Sequence, residues 1–151
     1  MTGAFQIRRA AEGDAEALAG LSGALGYGAE REVIRERLQA ILGSDSNLMI
    51  VAVDPGGRVV GWLQACAGHR VQTGSRVEIT GLVVDAEVRR RGVGRRLVGE
   101  AVRWAQGRSA EAVVVRSNVQ RAESHRFYPA LGFDLSKTQA VYQRDLPGRA
   151  R

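Results

Sequence analysis

The chain reads LVVDAEVRRRGVGRRL from Leu82 to Leu97. An apolar run typical of a buried strand leads into a turn with Gly92 and Gly94, and an amphipathic pattern follows. The first turn of a helix has free N–H groups and the positive end of the helix dipole, and glycine lets a ligand approach the backbone. Five arginines lie within eight residues: Arg89, Arg90, Arg91, Arg95 and Arg96. The stretch therefore predicts a helix start that binds an anion such as a pyrophosphate.

The glycine spacing excludes two common phosphate loops. It is neither G-x-x-x-x-G-K-[ST], which is typical of P-loop nucleotidases, nor G-x-G-x-x-G, which is typical of dinucleotide binding. A short R-x-x-G-x-G pattern also recurs by chance in tight turns. Nucleic-acid binding by the arginines is a further alternative, although no basic residues alternate with aromatic ones here. We therefore predict no nucleic-acid partner.

Composition indicates one globular domain. The chain has 151 residues, 22 basic and 16 acidic, with a net charge of +6 that favours anionic partners. No apolar run is long enough to cross a bilayer, and no signal peptide is visible. The single cysteine, Cys66, cannot form an internal disulfide, so a cytoplasmic setting is expected. No spacing of ligand residues suggests a metal site. The core spans about residues 4–145, and the tail 147–151 is expected to be disordered.

Periodicity outside the turn predicts an α/β (α+β) fold. The order is β-α-α-β-β-β-α-β-α-β, a single mixed and mostly antiparallel sheet flanked by helices. Predicted strands are residues 5–9, 48–53, 59–66, 77–84 and 112–115, with a last strand or strand pair within 133–146. Predicted helices are residues 15–25, 30–42, 92–105 and 121–131.

Two signatures carry a family resemblance. Residues 89–94 match Q/R-x-x-G-x-G/A after the strand GLVVD at 81–85, and Ser117 and Asn118 are followed by FYPALGF at 127–133. On these residues the chain resembles the GNAT superfamily, the GCN5-related N-acetyltransferases, over about residues 4–145. The resemblance implies the acyl-CoA N-acyltransferase fold and direct transfer of an acetyl group from acetyl-CoA to an amine, without an acyl-enzyme.

The resemblance also implies a cofactor pose. Acetyl-CoA would lie between the strands that end near Val84 and Ser117, with its pantetheine on the backbone of Leu82 and Val84. Backbone N–H groups at 90–95 would hold the pyrophosphate, and Asn118 would bond the pantetheine. The implied cofactor-binding residues are Leu82, Val83, Val84, Arg89, Arg90, Arg91, Gly92, Val93, Gly94, Arg95, Arg96, Asn118, Ser124 and Tyr128.

Two residues are candidates for proton transfer. The attacking amine has to lose a proton and the thiolate leaving group benefits from gaining one. Tyr128 matches the tyrosine of the second signature and is the candidate acid, with a packing tyrosine as the alternative. Glu78, four residues before Leu82, is the candidate base, directly or through water, and it also lies on the acceptor side. An exposed strand glutamate is an equally simple interpretation.

The acceptor is expected to be a small amine or an amino-acid-like molecule. Tyr27, in the glycine-rich segment between the first two helices, is a candidate acceptor contact, although a plain turn explains it as well. Cys66 is expected to be a packed thiol and His69 a loop histidine. A protein or peptide amine, and a non-catalytic acyl-CoA sensor, are the alternatives. The terminal strand is a plausible contact for a homodimer.

Overall fold

The computed structural model describes residues 4–23, 30–117 and 122–147. The chain forms two compact units, Met1–Arg116 and Ser117–Arg151. In the described ranges the first unit contains the β-sheet and three α-helices, and the second contains one further helix. None of these helices is long and apolar enough to span a membrane.

The sheet has five strands in the described residues, arranged in chain order. Neighbouring strands are antiparallel except for the last two, which are parallel. This arrangement confirms the expected mixed, mostly antiparallel sheet. The strands are β1 (Gln6–Arg9), β2 (Asn47–Val53), β3 (Val59–Arg70), β4 (Gly74–Val84) and β5 (Ala112–Val115).

The connections explain these strand directions. Between β2 and β3, the N–H of Gly57 donates to the carbonyl of Asp54 at 2.9 Å, and the Asp54 carboxylate accepts from the N–H of Arg58 at 2.8 Å. Such a tight turn forces antiparallel pairing. Strands β4 and β5 are parallel, so the chain has to cross over between them. Helix α3 (Val93–Gly107) makes that crossover.

Helices cover both faces of the sheet. Helices α1 (Ala15–Gly23) and α2 (Arg31–Leu42) cover the face that carries Trp62. The neighbouring Gly61 faces the other way, and a Cβ there would lie 3.4 Å from side chains of α3. Burial of apolar side chains is thus the main source of stability on both sides. The buried residues of the first layer are Ala10, Ala15, Leu18, Leu38, Met49 and Val51.

The hairpin of β3 and β4 is longer than expected. Strand β3 continues to Arg70 and β4 begins at Gly74, whereas the sequence predicted strands 59–66 and 77–84. The residues at this end are polar and lack the apolar pattern that predicts a strand. They still form one, because cross-strand pairing is maintained by the backbone and tolerates exposed side chains. His69 therefore lies on β3 with an exposed side chain instead of in a loop.

In the second unit, helix α4 (Ala122–Ala130) ends at a glycine turn. Gly132 has a φ of 93°, and the N–H of Phe133 donates to the carbonyl of Tyr128 at 3.1 Å. This closure brings the Phe133 ring edge-on to the Tyr128 ring, with centroids 5.8 Å apart. Phe127 packs edge-on to Tyr128 as well, at 5.0 Å. Tyr128 is thus fixed between two aromatic rings.

The last predicted strand is wrong. Residues 133–147 contain no strand, and nothing in the described ranges pairs with them. An apolar pattern can predict a strand, but a strand forms only beside a partner that takes its backbone hydrogen bonds. Phe133 is half-buried, and the large apolar side chains after it are 78–93% exposed: Leu135, Val141, Tyr142 and Leu146.

A buried carboxylate connects β1 to the start of α1. Asp14 accepts hydrogen bonds from Arg8 Nη1 and Nη2 at 2.8 and 2.9 Å, and from the N–H of Ala11 at 2.8 Å. Its side chain is only 10% exposed. Hydrogen bonding from Arg8 lowers the pKa of Asp14, and burial opposes that shift only in part. The ionised form of Asp14 therefore stabilises the fold.

We expect Asp14→Asn to lower the free energy of unfolding by about 2 kcal/mol at neutral pH, because charge-assisted hydrogen bonds are lost. The folded-state pKa of Asp14 lies below its unfolded value, so its contribution is present above about pH 4 and is lost as the pH falls through the folded pKa. Urea unfolding between pH 3 and 7 should show the variant converging on the parent at low pH. Glu16→Gln, at a position that is 82% exposed, is the control; a constant gap between parent and Asp14→Asn would contradict the assignment.

Candidate active site

The predicted anion site lies at the start of α3. Gly92 precedes the helix in a left-handed conformation, with φ 82° and ψ 10°. The N–H of Arg96 donates to the carbonyl of Gly92, so the N–H groups of Val93, Gly94 and Arg95 come before the first bond of the helix. No side chain caps this end, and its first turn contains no acidic residue. The helix start is therefore open to an anion.

The arginines of the turn are exposed and separate into two groups. Arg89, Arg90, Arg91 and Arg95 form no ion pair within the described residues. Arg96, in contrast, donates a hydrogen bond to the carbonyl of Phe5. The first four can move toward a bound anion at little cost, whereas Arg96 connects α3 to the N-terminal segment.

An open strand edge precedes this turn. Within residues 4–23, 30–117 and 122–147, strand β4 pairs with β5 only as far as Ile79 and Val115, yet β4 continues to Val84. The N–H of Asp85 donates to Val60 of β3 at 2.8 Å. Because backbone groups alternate along a strand, those of Leu82 and Val84 point away from β3. Three residues of this strand were predicted to bind the cofactor. Leu82 and Val84 direct their backbone groups to the open edge, where a ligand could pair with them, whereas the backbone of Val83 faces β3.

A β-bulge lies where β4 and β5 separate. Ala65 pairs with Ile79 and Gln64 pairs with Gly81, so Thr80 is the extra residue. The ring of Trp62 lies over Gly81, where an added Cβ would come within 2.5 Å of the indole. Only glycine fits beneath this ring, so the shape of the bulge depends on the pair of Trp62 and Gly81.

Glu78 lies next to this bulge and is held by two arginines. Its Oε1 contacts Arg116 Nη1 and lies 3.3 Å from Arg70 Nη2. The Glu78 side chain is 22% exposed, and the two arginines are 52% and 46% exposed. The carboxylate is therefore fixed in position while one of its oxygens, Oε2, remains outside both ion pairs.

The arginines near Glu78 are functional candidates that the sequence pattern did not indicate. Arg76 lies two residues before Glu78 on the same face of β4, and Arg116 directly follows β5. The alternation of strand residues could have placed Arg76 beside Glu78. Arg70 could not be placed, because the predicted β3 ended at residue 66.

The other predicted residues lie in the second unit, elsewhere on the sheet or outside the described ranges. Ser124 and Tyr128 lie four residues apart on α4, in the second unit, and both are half-buried. Asn118 and Tyr27 fall outside the described residues. Cys66 is half-buried and its thiol donates to the carbonyl of Ala67 at 3.7 Å. Within the described ranges no group of acidic, histidine and cysteine residues could hold a metal.

We expect Gly81→Ala to displace Trp62 and distort the bulge, because the new Cβ overlaps the indole. The free energy of unfolding should fall by about 1–3 kcal/mol, as for other overpacked sites. Thr80→Ala is the matched control, since Thr80 is exposed in the same bulge. Thermal unfolding of both variants measures the effect; equal stabilities would show that the ring can move without cost.

Comparison with known proteins identifies the family. The model of the acetyltransferase (GNAT) family matches residues 18–133. A transcriptional regulator from Bacillus halodurans C-125 is similar, at 26% identity and a TM-score of 0.83 over 93% of this chain and 100% of that chain. The aminoglycoside N-acetyltransferase AAC(6')-Iy in complex with CoA has 21% identity and a TM-score of 0.84, over 93% and 95%. The glucosamine-6-phosphate N-acetyltransferase from Arabidopsis thaliana has 19% identity and a TM-score of 0.82, over 95% and 100%. No curated protein sequence matches the chain.

The open edge of β4, the bulge and the uncapped helix start thus occur in a chain that belongs to the GNAT family of acetyltransferases.

Proposed function

We propose that the protein is an N-acetyltransferase that moves the acetyl group of acetyl-CoA directly to a primary amine of a small molecule. The open edge of β4 carries this proposal, because it leads from the bulge to the uncapped start of α3. An extended pantetheine arm needs such an edge for its amides, and a pyrophosphate needs such a helix start.

The residues fit this co-substrate. The backbone groups of Leu82 and Val84 would pair with the pantetheine arm, as an added strand pairs with a sheet edge. The N–H groups of Val93, Gly94 and Arg95 would bind the pyrophosphate. Arg89, Arg90 and Arg91 would add positive charge around it. For Asn118 and Ser124, the proposed contacts to acetyl-CoA rest on the family resemblance.

The reaction requires two proton transfers. The acceptor nitrogen attacks the thioester carbon, a C–N bond forms, the C–S bond breaks and the CoA thiolate leaves. We assign Tyr128 as the acid that protonates the thiolate. We assign Glu78 as the base that takes the amine proton, directly or through water, and the oxygen Oε2 is the atom outside its ion pairs. The fixed position of Glu78 supports this assignment, since a base has to be within reach of the proton.

A small-molecule acceptor is favoured over a peptide. Two similar structures are of enzymes named for aminoglycoside and glucosamine-6-phosphate acceptors. A non-catalytic acyl-CoA sensor is the second candidate, because another similar structure is described as a transcriptional regulator. Turnover separates these two candidates, since a sensor binds acyl-CoA without releasing CoA.

A thiol-release assay with acetyl-CoA and a panel of amines, amino acids, aminoglycosides and peptides tests the proposal. We expect turnover with at least one small amine, and Tyr128→Phe should lower kcat by about 100-fold with little change in the KM for acetyl-CoA. Tyr142→Phe is the control, because Tyr142 is 93% exposed. Full turnover by Tyr128→Phe would remove the acid assignment. CoA binding without thiol release by any acceptor would favour the sensor.

We also propose that the protein forms a homodimer through residues 133–146. This segment is not paired within the described residues and exposes Leu135, Val141, Tyr142 and Leu146. Exposed apolar groups of this kind mark interaction sites, and a second copy supplies an identical segment for pairing.

Light scattering should give twice the chain mass of 16.3 kDa at micromolar concentration. The double variant Val141→Asp, Leu146→Asp should reduce the measured mass to that of one chain, because charges cannot be buried without partners. Val71→Asp is the matched control, since Val71 is an exposed apolar residue outside this segment. A single-chain mass for the unmodified protein would overturn the proposal.

A further inference from the structure

One face of the sheet near the bulge is rich in arginine. Arg70 and Arg116 contact Glu78, and Arg76 lies two residues before Glu78 on the same face of β4; we name these three arginines the arginine face. We propose that the arginine face binds an anionic group of the acceptor, so that the acetylated amine belongs to a molecule that also carries a carboxylate or a phosphate. This inference rests on the proposed N-acetyltransferase function.

The strand register places these side chains on one face. Residues directly opposite each other in paired strands point to the same side. Cys66 lies opposite Glu78, Gly68 opposite Arg76 and Arg70 opposite Gly74, and these positions alternate along both strands. Arg116 reaches the same side, as its contact with Glu78 shows. Four charged side chains thus lie on one side of the sheet, although they come from three separate stretches of sequence.

The charges on this face do not balance. Three guanidinium groups share this face with the Glu78 carboxylate, and the Glu111 carboxylate lies at its end against Gly74, which leaves a net charge of about +1. Glu78 accepts from Arg70 and Arg116, but Arg76 has no acidic partner in the described ranges. The Nε of Arg76 is moreover buried without a hydrogen-bond acceptor. A buried donor on a charged side chain is costly when it is unpaired, and a bound anion would compensate the charge.

The location suits an acceptor group. Glu78 pairs with Val114, one step before the last pair of β4 and β5, and the bulge follows at once. Residues in a strand rise about 3.3 Å each, so Glu78 and Gly81 are roughly 10 Å apart along β4. An anion on this face would therefore lie within the length of a small molecule from the bulge, beyond which Leu82 and Val84 are proposed to pair with the pantetheine arm. Arg70 and Arg116 are about half exposed and can reach it.

The guanidinium groups of the arginine face favour acceptors that carry an anionic group. Guanidinium groups form paired hydrogen bonds to carboxylate and phosphate oxygens. A polycationic acceptor without an anion would meet like charges here and would bind less well. The positive charge thus favours amino acids, amino sugar phosphates and related zwitterions over polyamines and aminoglycosides.

Matched pairs of acceptors test this inference in the thiol-release assay. One pair is an amino acid and its carboxamide, and the other is a hexosamine phosphate and the free hexosamine. We expect the anionic member of at least one pair to have a kcat/KM at least about tenfold higher, as for the gain of one charged contact. The two pairs distinguish a carboxylate from a phosphate.

Variants locate the effect on the arginine face. Arg76→Gln should lower kcat/KM for the anionic acceptor by about tenfold or more and leave the neutral acceptor almost unchanged. Arg70→Gln should lower kcat/KM for both acceptors, and more for the anionic one, because it also loses the contact that holds Glu78. The melting temperature of Arg76→Gln, compared with that of the parent, guards against a folding defect. Arg37→Gln, an exposed position on α2, is the control.

The outcomes separate the two proposals. Equal kcat/KM values within both pairs, or equal losses on anionic and neutral acceptors in Arg76→Gln, would overturn the anion site while the acetyltransferase proposal stands. Absence of thiol release with every amine would remove the acetyltransferase instead. In that case the melting temperature in inorganic phosphate tests the site alone. A stabilisation that Arg70→Gln and Arg76→Gln abolish would support it, and no stabilisation would overturn it.

Discussion

Strands β4 and β5 pair over four residues and then separate. Every backbone N–H and carbonyl needs a partner, so a strand that continues beyond its neighbour leaves an edge that a ligand can fill. The bulge at Thr80 marks the separation, and the crossover that makes the pair parallel begins directly after the free edge. The extended edge and the helix start thus follow one another along the chain, so one ligand can use both.

Much of this arrangement could be predicted from the sequence, because it depends on local patterns. Gly92 and the apolar run before it predict a strand, a turn and a helix without knowledge of other segments. The surroundings of Glu78 depend on residues that are 8 and 38 positions away, and only the register of the strands brings them together. For the segment 133–146, in contrast, the sequence predicted a strand that the structure does not contain. Its apolar residues predict a strand, but pairing is a property of two segments, and the sequence of one does not reveal whether a partner exists.

The net charge of +6 divides into groups with different physical roles. The arginines at 89–91 are exposed and form no ion pair with any residue that the structure describes, so they add charge near a helix start that already attracts anions. Arg8 is bound to a buried carboxylate and contributes to stability. Arg70 and Arg116 are held by Glu78, which keeps two mutually repelling cations close together. Total charge alone therefore says little about the partners of this protein, whereas the position of each arginine says more.

The indole over Gly81 has a further consequence. Trp62 is one of only two tryptophans, and the other, Trp104, lies on α3 beneath the guanidinium of Arg108 at 4.8 Å. The emission of an indole responds to the polarity and contacts around its ring. Replacing Trp104 by Phe would leave Trp62 as the single tryptophan, with its ring over Gly81 beside the bulge and the open strand edge. The fold thereby contains its own fluorescent reporter, through which the arrival of a ligand could be followed in real time without an attached dye.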